Sequence, residues 1–270
     1  MKPAPIDYDT VREMLRTATP DRVLRFIGKS HPADIALLFK GLDSSEVRQL
    51  FDVLFSSRRA AKTLKELPFE LLPDILALID DEKVGRLIVR ADPDEAVTFI
   101  DSLPDERRER VMALLDPERR AAVREIINYP EGTVGRLMTT DFMALPPDAT
   151  AQGAIDKIRE RGELESFFYL YVVDNDGKLV GVVPIRNLVI APPARKLRDM
   201  MIADPIKADV FMDQEDAARI VAKYELLALP IVDEGGRLEG IITVDDVIDI
   251  IKEESTEDMY KMVGLAEEDR

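Results

Sequence analysis

The chain has 270 residues, no cysteine and a formal charge of −16, from 53 Asp and Glu against 37 Lys and Arg. Without cysteine there are neither disulfides nor thiolate metal sites, and so acidic a chain is a poor match for a phosphate backbone, which argues against nucleic acid as a partner. No run approaches the roughly 18–20 apolar residues that cross a bilayer, and the opening MKPAPIDYDT lacks the apolar stretch of a signal peptide, so we expect a soluble, cytoplasmic chain.

From residue 8 to about residue 129 apolar side chains recur at intervals of three to five, as in Leu37, Leu38, Leu42, Val47, Leu50, Val53 and Leu54, which is helical spacing. Proline falls repeatedly where a helix would begin, at Pro20, Pro32, Pro68, Pro93, Pro104 and Pro117. It suits the first helical position because its missing N–H would have no partner there in any case. Asp92 and Asp116 stand where a carboxylate caps the next free amides, and Ser44-Ser45-Glu46 reads as a further start. Starts this close together imply short helices, each marginal alone, that bury a face on their neighbours in a stack. The expectation is an all-α superhelical domain.

The second half is internally duplicated. The stretch from Tyr171 to Val183 matches that from Pro230 to Ile242: a β-branched strand, a Gly-containing turn and a second strand, hence a hairpin in each copy. Upstream, Leu137-Met138 matches Met200-Met201, and each is followed by an amphipathic helix, over 151–158 and 215–224. Downstream, residues 185–189 match 244–248. The offset is 59 at the hairpins and about 63 at the helices, so the first copy has roughly four extra residues between helix and strand.

This order, with Gly240-Ile241-Ile242-Thr243-Val244-Asp245-Asp246 as its most recognisable signature, resembles a tandem pair of CBS domains over about residues 132–252. The resemblance implies two copies packed through their sheets, with clefts that in many members bind adenine nucleotides. It places nucleotide contacts at Tyr169, Arg186, Asn187 and Thr243. A threonine hydroxyl can donate to a phosphate, and a carboxylate or amide can bond ribose. In the first copy Asn187 replaces the usual carboxylate, and a cleft filled only by side chains is the competing reading.

The helical half carries His31-Pro32-Ala33-Asp34-Ile35-Ala36 and Leu115-Asp116-Pro117-Glu118-Arg119-Arg120, and the junction runs Tyr129-Pro130-Glu131-Gly132-Thr133-Val134-Gly135-Arg136-Leu137-Met138. With the acidic stretch Glu253 to Asp258 after the CBS-like pair, the whole chain resembles the cytosolic part of the MgtE family of magnesium transporters. That resemblance implies a multidomain α and α/β architecture: an all-α superhelical domain over 1–131, a first CBS domain over 132–195, a second over 196–252, and the start of a connecting helix over 253–270. It also implies a homodimer through the CBS domains, whose cytosolic parts close at high magnesium, and, if the chain is a truncated portion, a transmembrane pore domain in the same polypeptide.

Between Asp245 and Arg270 there are ten acidic residues against three basic ones, and Asp245, Asp249, Glu253 and Glu257 follow one another at i+4 spacing. Like charges so spaced destabilise a helix by a few tenths of a kcal/mol per pair unless a cation faces them. Magnesium suits such a surface, since it keeps several waters and takes one or two carboxylates directly. Carried over by position, the resemblance implies metal contacts at Asp94, Glu215, Glu225, Asp246, Asp249, Glu254, Glu257 and Asp258. Three departures from the family pattern bear on this: Thr98 and Lys62 stand at usually acidic places, and Glu225 where aspartate is usual. The lone His31 precedes Pro32 at a helix start and reads as a cap.

The function expected is a cytosolic magnesium-sensing regulatory module, with Mg2+ as its ligand and ATP or another adenine nucleotide as a further one. Two alternatives stay open: a CBS-type adenine-nucleotide sensor without direct magnesium gating, and a dimeric helical scaffold that docks a protein partner. No nucleophile–base pair, Gly-rich phosphate loop or histidine metal site points to an enzyme.

Overall fold

In the computed structural model, residues 7–161 and 167–263 are described, with the side chains of 69, 253 and 255–263 left aside. The chain divides into two units, Met1–Arg124 and Glu125–Arg270. The first is helical: α1 (Tyr8–Thr17), α2 (Pro20–Ile27), α3 (Pro32–Ala36), α4 (Ser44–Ser56), α5 (Ala60–Lys65), α6 (Leu72–Ala77), α7 (Asp81–Arg90), α8 (Pro93–Asp101) and α9 (Asp105–Leu114), with α10 (Pro117–Ile127) continuing past its end.

Local chemistry sets these starts. Pro20, Pro32, Pro93 and Pro117 each occupy a first helical position, while Pro104 stands one residue before α9. His31 accepts from the Ala33 amide through Nδ1 at 3.2 Å, so the only histidine is a helix cap. Asp116 accepts from the Arg119 amide at 2.8 Å, and Asp43 caps α4 while Glu46 reaches back to the Asp43 amide at 2.9 Å, a reciprocal box. Leu50, Phe51, Leu54, Leu64, Leu76, Leu87, Ile88, Phe99 and Ile100 form the fully buried core.

A recurring arginine ties the stack together. The guanidinium of Arg59 donates to the carbonyls of Ile27 and Ser30, that of Arg107 to Leu76 and Ile79, and that of Arg119 to Ile88 and Ala91. Each reaches back 28–32 residues to carbonyls at or just beyond the end of an earlier helix, where the next helical amide is missing.

The second unit contains two mixed sheets. After α11 (Val134–Leu137) come β1 (Ala144–Leu145), α12 (Ala151–Arg161), β2 (Tyr169–Val173), β3 (Leu179–Pro184) and α13 (Ile185–Ile190). Then follow β4 (Ile202–Ala203), β5 (Ala208–Asp209), α14 (Gln214–Tyr224), β6 (Ala228–Val232), β7 (Leu238–Thr243) and α15 (Val244–Val263). The sheet orders are β1-β2-β3-β4 and β5-β6-β7. In each, a short parallel strand flanks an antiparallel hairpin whose turn glycine, Gly177 or Gly236, has φ +80°, where a Cβ would be strained. Seven residues separate α12 from β2 and three separate α14 from β6, the four-residue difference expected from the offsets.

The two repeats exchange their leading segments. Ile202 and Ala203, which open the second copy, pair with Val182 and Gly181 of the first sheet. Thr139, which opens the first copy, bridges Ile241 of the second. The methionines follow: Met201 lies against Gly181 and Met138 against Gly240, each so close that an added Cβ would fall 2.6 Å from sulfur. The sheets meet through Tyr171, Leu179, Val182, Val232 and Ile241, and the hairpin tips bond reciprocally, Leu179 N to Gly236 O and Leu238 N to Gly177 O. Each repeat thus lends backbone pairing to the other's sheet.

The junction motif is built into the second repeat. Val134 N donates to Met212 O and Gly135 N to Val210 O, both at 2.9 Å. The buried Arg136 donates to the carbonyls of Ile127 and Tyr129, turning the chain out of α10.

Candidate metal and nucleotide sites

The carboxylates of Glu215 and Glu254 come into hydrogen-bonding contact between α14 and α15, although 39 positions apart in the chain. Asp213 caps α14 by accepting from the Glu215 amide at 2.8 Å, which sets Glu215 in the first turn. Glu254 is held by Gln214, whose Nε2 donates to its Oε1 at 2.6 Å. The shared contact with Glu254 raises the Glu215 carboxyl above the usual carboxylate range, the repulsion between the two charges and desolvation adding to it. Arg219, 2.6 Å from Glu215 Oε2, offsets this in part. Two neighbouring acids whose charges repel would be a natural seat for a hard cation, which would relieve that repulsion.

The remaining acidic candidates are dispersed. Asp249 pairs with Lys252 at 2.6 Å, so part of the positive charge facing the α15 stripe comes from the helix itself. Asp246 closes the start of α15, its Oδ2 accepting from Thr243 N at 3.2 Å and from Thr243 Oγ1 at 2.6 Å. Glu225 ends α14 with φ 53°, a left-handed position that normally favours glycine, and Leu226 N closes the turn on Val221 O at 3.1 Å. Glu257 and Asp258 lie on α15, and their side chains are outside the described residues.

In the helical unit, Asp94 sits in the first turn of α8 with Lys65 Nζ 3.8 Å away. Thr98, at a usually acidic place, turns its hydroxyl onto Asp94 O at 3.1 Å. Beside them Glu95 is buried, and burial pushes its carboxyl up, although it accepts from the Asp92 amide at 3.1 Å. Among the described residues no group of three or more His, Asp or Glu converges tightly enough to hold a metal. The described residues thus bring together a carboxylate pair.

The nucleotide candidates occupy equivalent places in the two copies. Thr243, 3% exposed, ends β7, and its hydroxyl lies against both Asp245 and Asp246. The equivalent of Thr243 in the first copy, 59 residues earlier, is the buried Pro184, which has no hydroxyl. Arg186 is exposed and Asn187 half-buried in the first turn of α13, and Tyr169 opens β2 opposite Pro184. Sequence reasoning missed Gln214, Arg219 and Lys65. No periodicity points to them, since each acts through a contact made only after folding.

A helical domain followed by two interlocked β-α-β repeats defines a CBS-pair protein with an N-terminal helical domain. The MgtE intracellular N domain matches residues 30–132, and the CBS domain matches residues 134–193 and 197–253. The magnesium transporter MgtE of Thermus thermophilus is 31% identical over 260 residues, 94% of this chain and 57% of that protein. MgtE of Bacillus subtilis is 30% identical over 239 residues, 88% of this chain and 53% of that protein. A crystal structure of the cytosolic domain of the Mg2+ channel MgtE in complex with ATP superposes with a TM-score of 0.84 at 29% identity, over 90% of this chain and all of the other. The chain is thus an MgtE N domain joined to a tandem CBS pair, homologous to MgtE transporters over most of its length and a close match to their cytosolic part. It spans a little over half the length of those relatives. Among the described residues, no helix is long and apolar enough to cross a membrane.

Proposed function

We propose that this chain is a magnesium-sensing regulatory module, not an enzyme, and that it works at the cytosolic face of a membrane whose pore is supplied by a further part of the same polypeptide. The observation that carries the reading is the Glu215–Glu254 contact, an unfavourable juxtaposition of acids that a divalent cation would convert into a favourable one. Asp246 and Asp249 would extend the acidic surface along α15 and Glu225 at the end of α14, and Glu257, Asp258 and, in the helical domain, Asp94 are proposed as further metal contacts. Magnesium between these surfaces raises the population of a compact state that closes the pore. It does so only to the extent that it binds that state more tightly than the open one.

The homodimer is supported by apolar side chains left in solvent on the helices that close each repeat. Val189 and Ile248 hold equivalent positions 59 residues apart and are 67% and 48% exposed, and Ile190, Ile251, Tyr224 and Leu227 are exposed as well. The second reading, an adenine-nucleotide ligand, is favoured by the ATP complex of the similar cytosolic domain. Here Thr243, Tyr169, Arg186 and Asn187 would face the nucleotide, which biases the same equilibrium by stiffening the dimer.

The test is thermal unfolding of the parent chain and of Glu215→Gln/Glu254→Gln in magnesium-free and magnesium-containing buffer of equal ionic strength. Because the folded state raises the Glu215 carboxyl, the pair's contribution to stability is present below the ordinary carboxylate range and is lost as pH rises through the raised value. At neutral pH without magnesium the variant is therefore expected to match or exceed the parent. With magnesium the parent gains stability and the variant gains much less. An equal gain in both would remove this pair from the metal site.

A further inference from the structure

We propose that the helical unit carries a pocket for a small organic carboxylate with a compact apolar body, formed by α4, α5 and α7. The cavity is about 330 Å3 and is lined by Phe55, Arg58, Ala60, Ala61, Leu87 and Arg90. Ala60, Ala61 and Leu87 are buried and supply an apolar wall, and Phe55 supplies a ring stacked on Phe51 at 5.6 Å. The other two lining residues are arginines, and among the described residues no carboxylate lines the space. Such a volume and lining fall in the range of small-molecule sites, where apolar walls hold the body and a few polar groups fix orientation.

Both arginines are exposed and give the mouth of the cavity a positive charge, within a chain of net charge −16. Elsewhere in this unit Arg12 and Arg16 pair with Glu46, Arg86 with Glu82, and Arg107 and Arg110 with Asp81. Arg59, Arg119 and Arg120 serve backbone carbonyls, Arg25 and Arg48 bond carbonyls one turn back in their own helices, and Arg22 and Arg124 lie outside the pocket lining. Among the described residues Arg58 and Arg90 pair with no acid. Arg90 is held in place by one nitrogen, Nη1, which donates to Phe55 O at 3.2 Å, and by its guanidinium lying 4.7 Å from the Phe55 ring centre. A cation already fixed loses little rotamer freedom when a ligand arrives.

Arg58 adds an independent sign. Arg59 N donates to Leu54 O at 2.9 Å and Arg58 N to Phe55 O at 3.2 Å, the closing pattern of a helix whose next residue is left-handed. That residue is Arg58, at φ 60°, where glycine would be about 1 kcal/mol better. The sequence thus places, at a position made for glycine, a side chain that lines the cavity. A guanidinium fork prefers a planar carboxylate, which it can bond through two parallel N–H donors. The ligand class follows: a monocarboxylic acid whose short aliphatic chain or single ring fits against Phe55, Ala61 and Leu87. Magnesium has no ligands here, so this pocket is separate from the acidic surfaces and does not rest on the reading given for them.

The test titrates the full chain with benzoate and with benzyl alcohol, its neutral counterpart, followed by amide and arginine Nε–H NMR signals, with sodium sulfate as a control for bare charge. Benzoate is expected to shift Ala60, Ala61, Leu87 and Arg90 saturably, with a dissociation constant in the millimolar range for so small a ligand. Arg58→Gly relieves the left-handed strain and so keeps the fold, yet is expected to weaken benzoate about tenfold, as is Arg90→Gln. No saturable shift, an equal response to benzyl alcohol or sulfate, or undiminished binding by Arg58→Gly would each overturn the proposal.

Discussion

Replacing Glu46 by alanine is expected to cost the helical unit about 3 kcal/mol, among the largest single effects in the chain. Its side chain is only 3% exposed, yet it accepts from Arg12 Nε at 3.1 Å, from Arg16 at 2.7 Å and from the Asp43 amide at 2.9 Å. The variant therefore breaks the capping box of α4 and the ionic tie to α1 at once. It also leaves two guanidiniums without their partner, though both are about half in solvent and recover some hydration. Glu46→Gln keeps an acceptor for the Asp43 amide and should cost less. Hydrogen exchange of α1 and α4 amides measures the difference where it arises. Burial works against ionisation of Glu46, but the Asp43 amide and the two arginines together outweigh it and hold the carboxyl below its usual range. Its stabilising contribution is thus present above the ordinary carboxylate range and lost as pH falls through that lowered value. Acid loosening of α1 from α4 should be blunted in Glu46→Gln, which has no proton to take up there.

The second large effect belongs to Gly135→Ala. A Cβ at this position would lie 2.7 Å from the Tyr129 ring and 2.7 Å from Val210 O. The carbonyl cannot retreat, because it accepts the hydrogen bond from Gly135 N that fastens the junction to the second repeat. We expect a loss of about 2–3 kcal/mol in the CBS pair, read by urea unfolding. Gly177→Ala is the control: with open space around it and only its φ of +80° to strain, it should lose about 1 kcal/mol. Equal losses would mean that backbone conformation, not close packing, makes Gly135 necessary.

Much of this architecture is legible in the sequence because it is written in short-range chemistry. Prolines and caps mark the helix starts, so the reading from Pro20, Pro32, Pro93 and Pro117 needs no tertiary information. The duplicated hairpins are equally local, since Gly177 and Gly236 terminate β-branched runs at matched positions. What periodicity does not show is which sheet a two-residue strand joins. The pairing of Leu137-Met138 with Met200-Met201 is visible, but the exchange that seats Met138 on Gly240 and Met201 on Gly181 is not. The acidic surfaces divide in the same way. The stripe along α15 follows from i+4 spacing, whereas the meeting of Glu215 with Glu254 depends on how α14 packs against α15. Nor does spacing reveal that Lys65 lies beside Asp94, a local cation where the resemblance alone implies a metal.

On the function proposed above, magnesium gathers these acidic surfaces into a compact dimer. Small-angle scattering of the purified chain, titrated with millimolar magnesium against sodium chloride of matched ionic strength, tests it most directly. A dimer whose radius of gyration falls with magnesium and is unchanged by sodium is the predicted result. A radius that stays constant, or that falls equally in both salts, would mean that magnesium does not compact this chain.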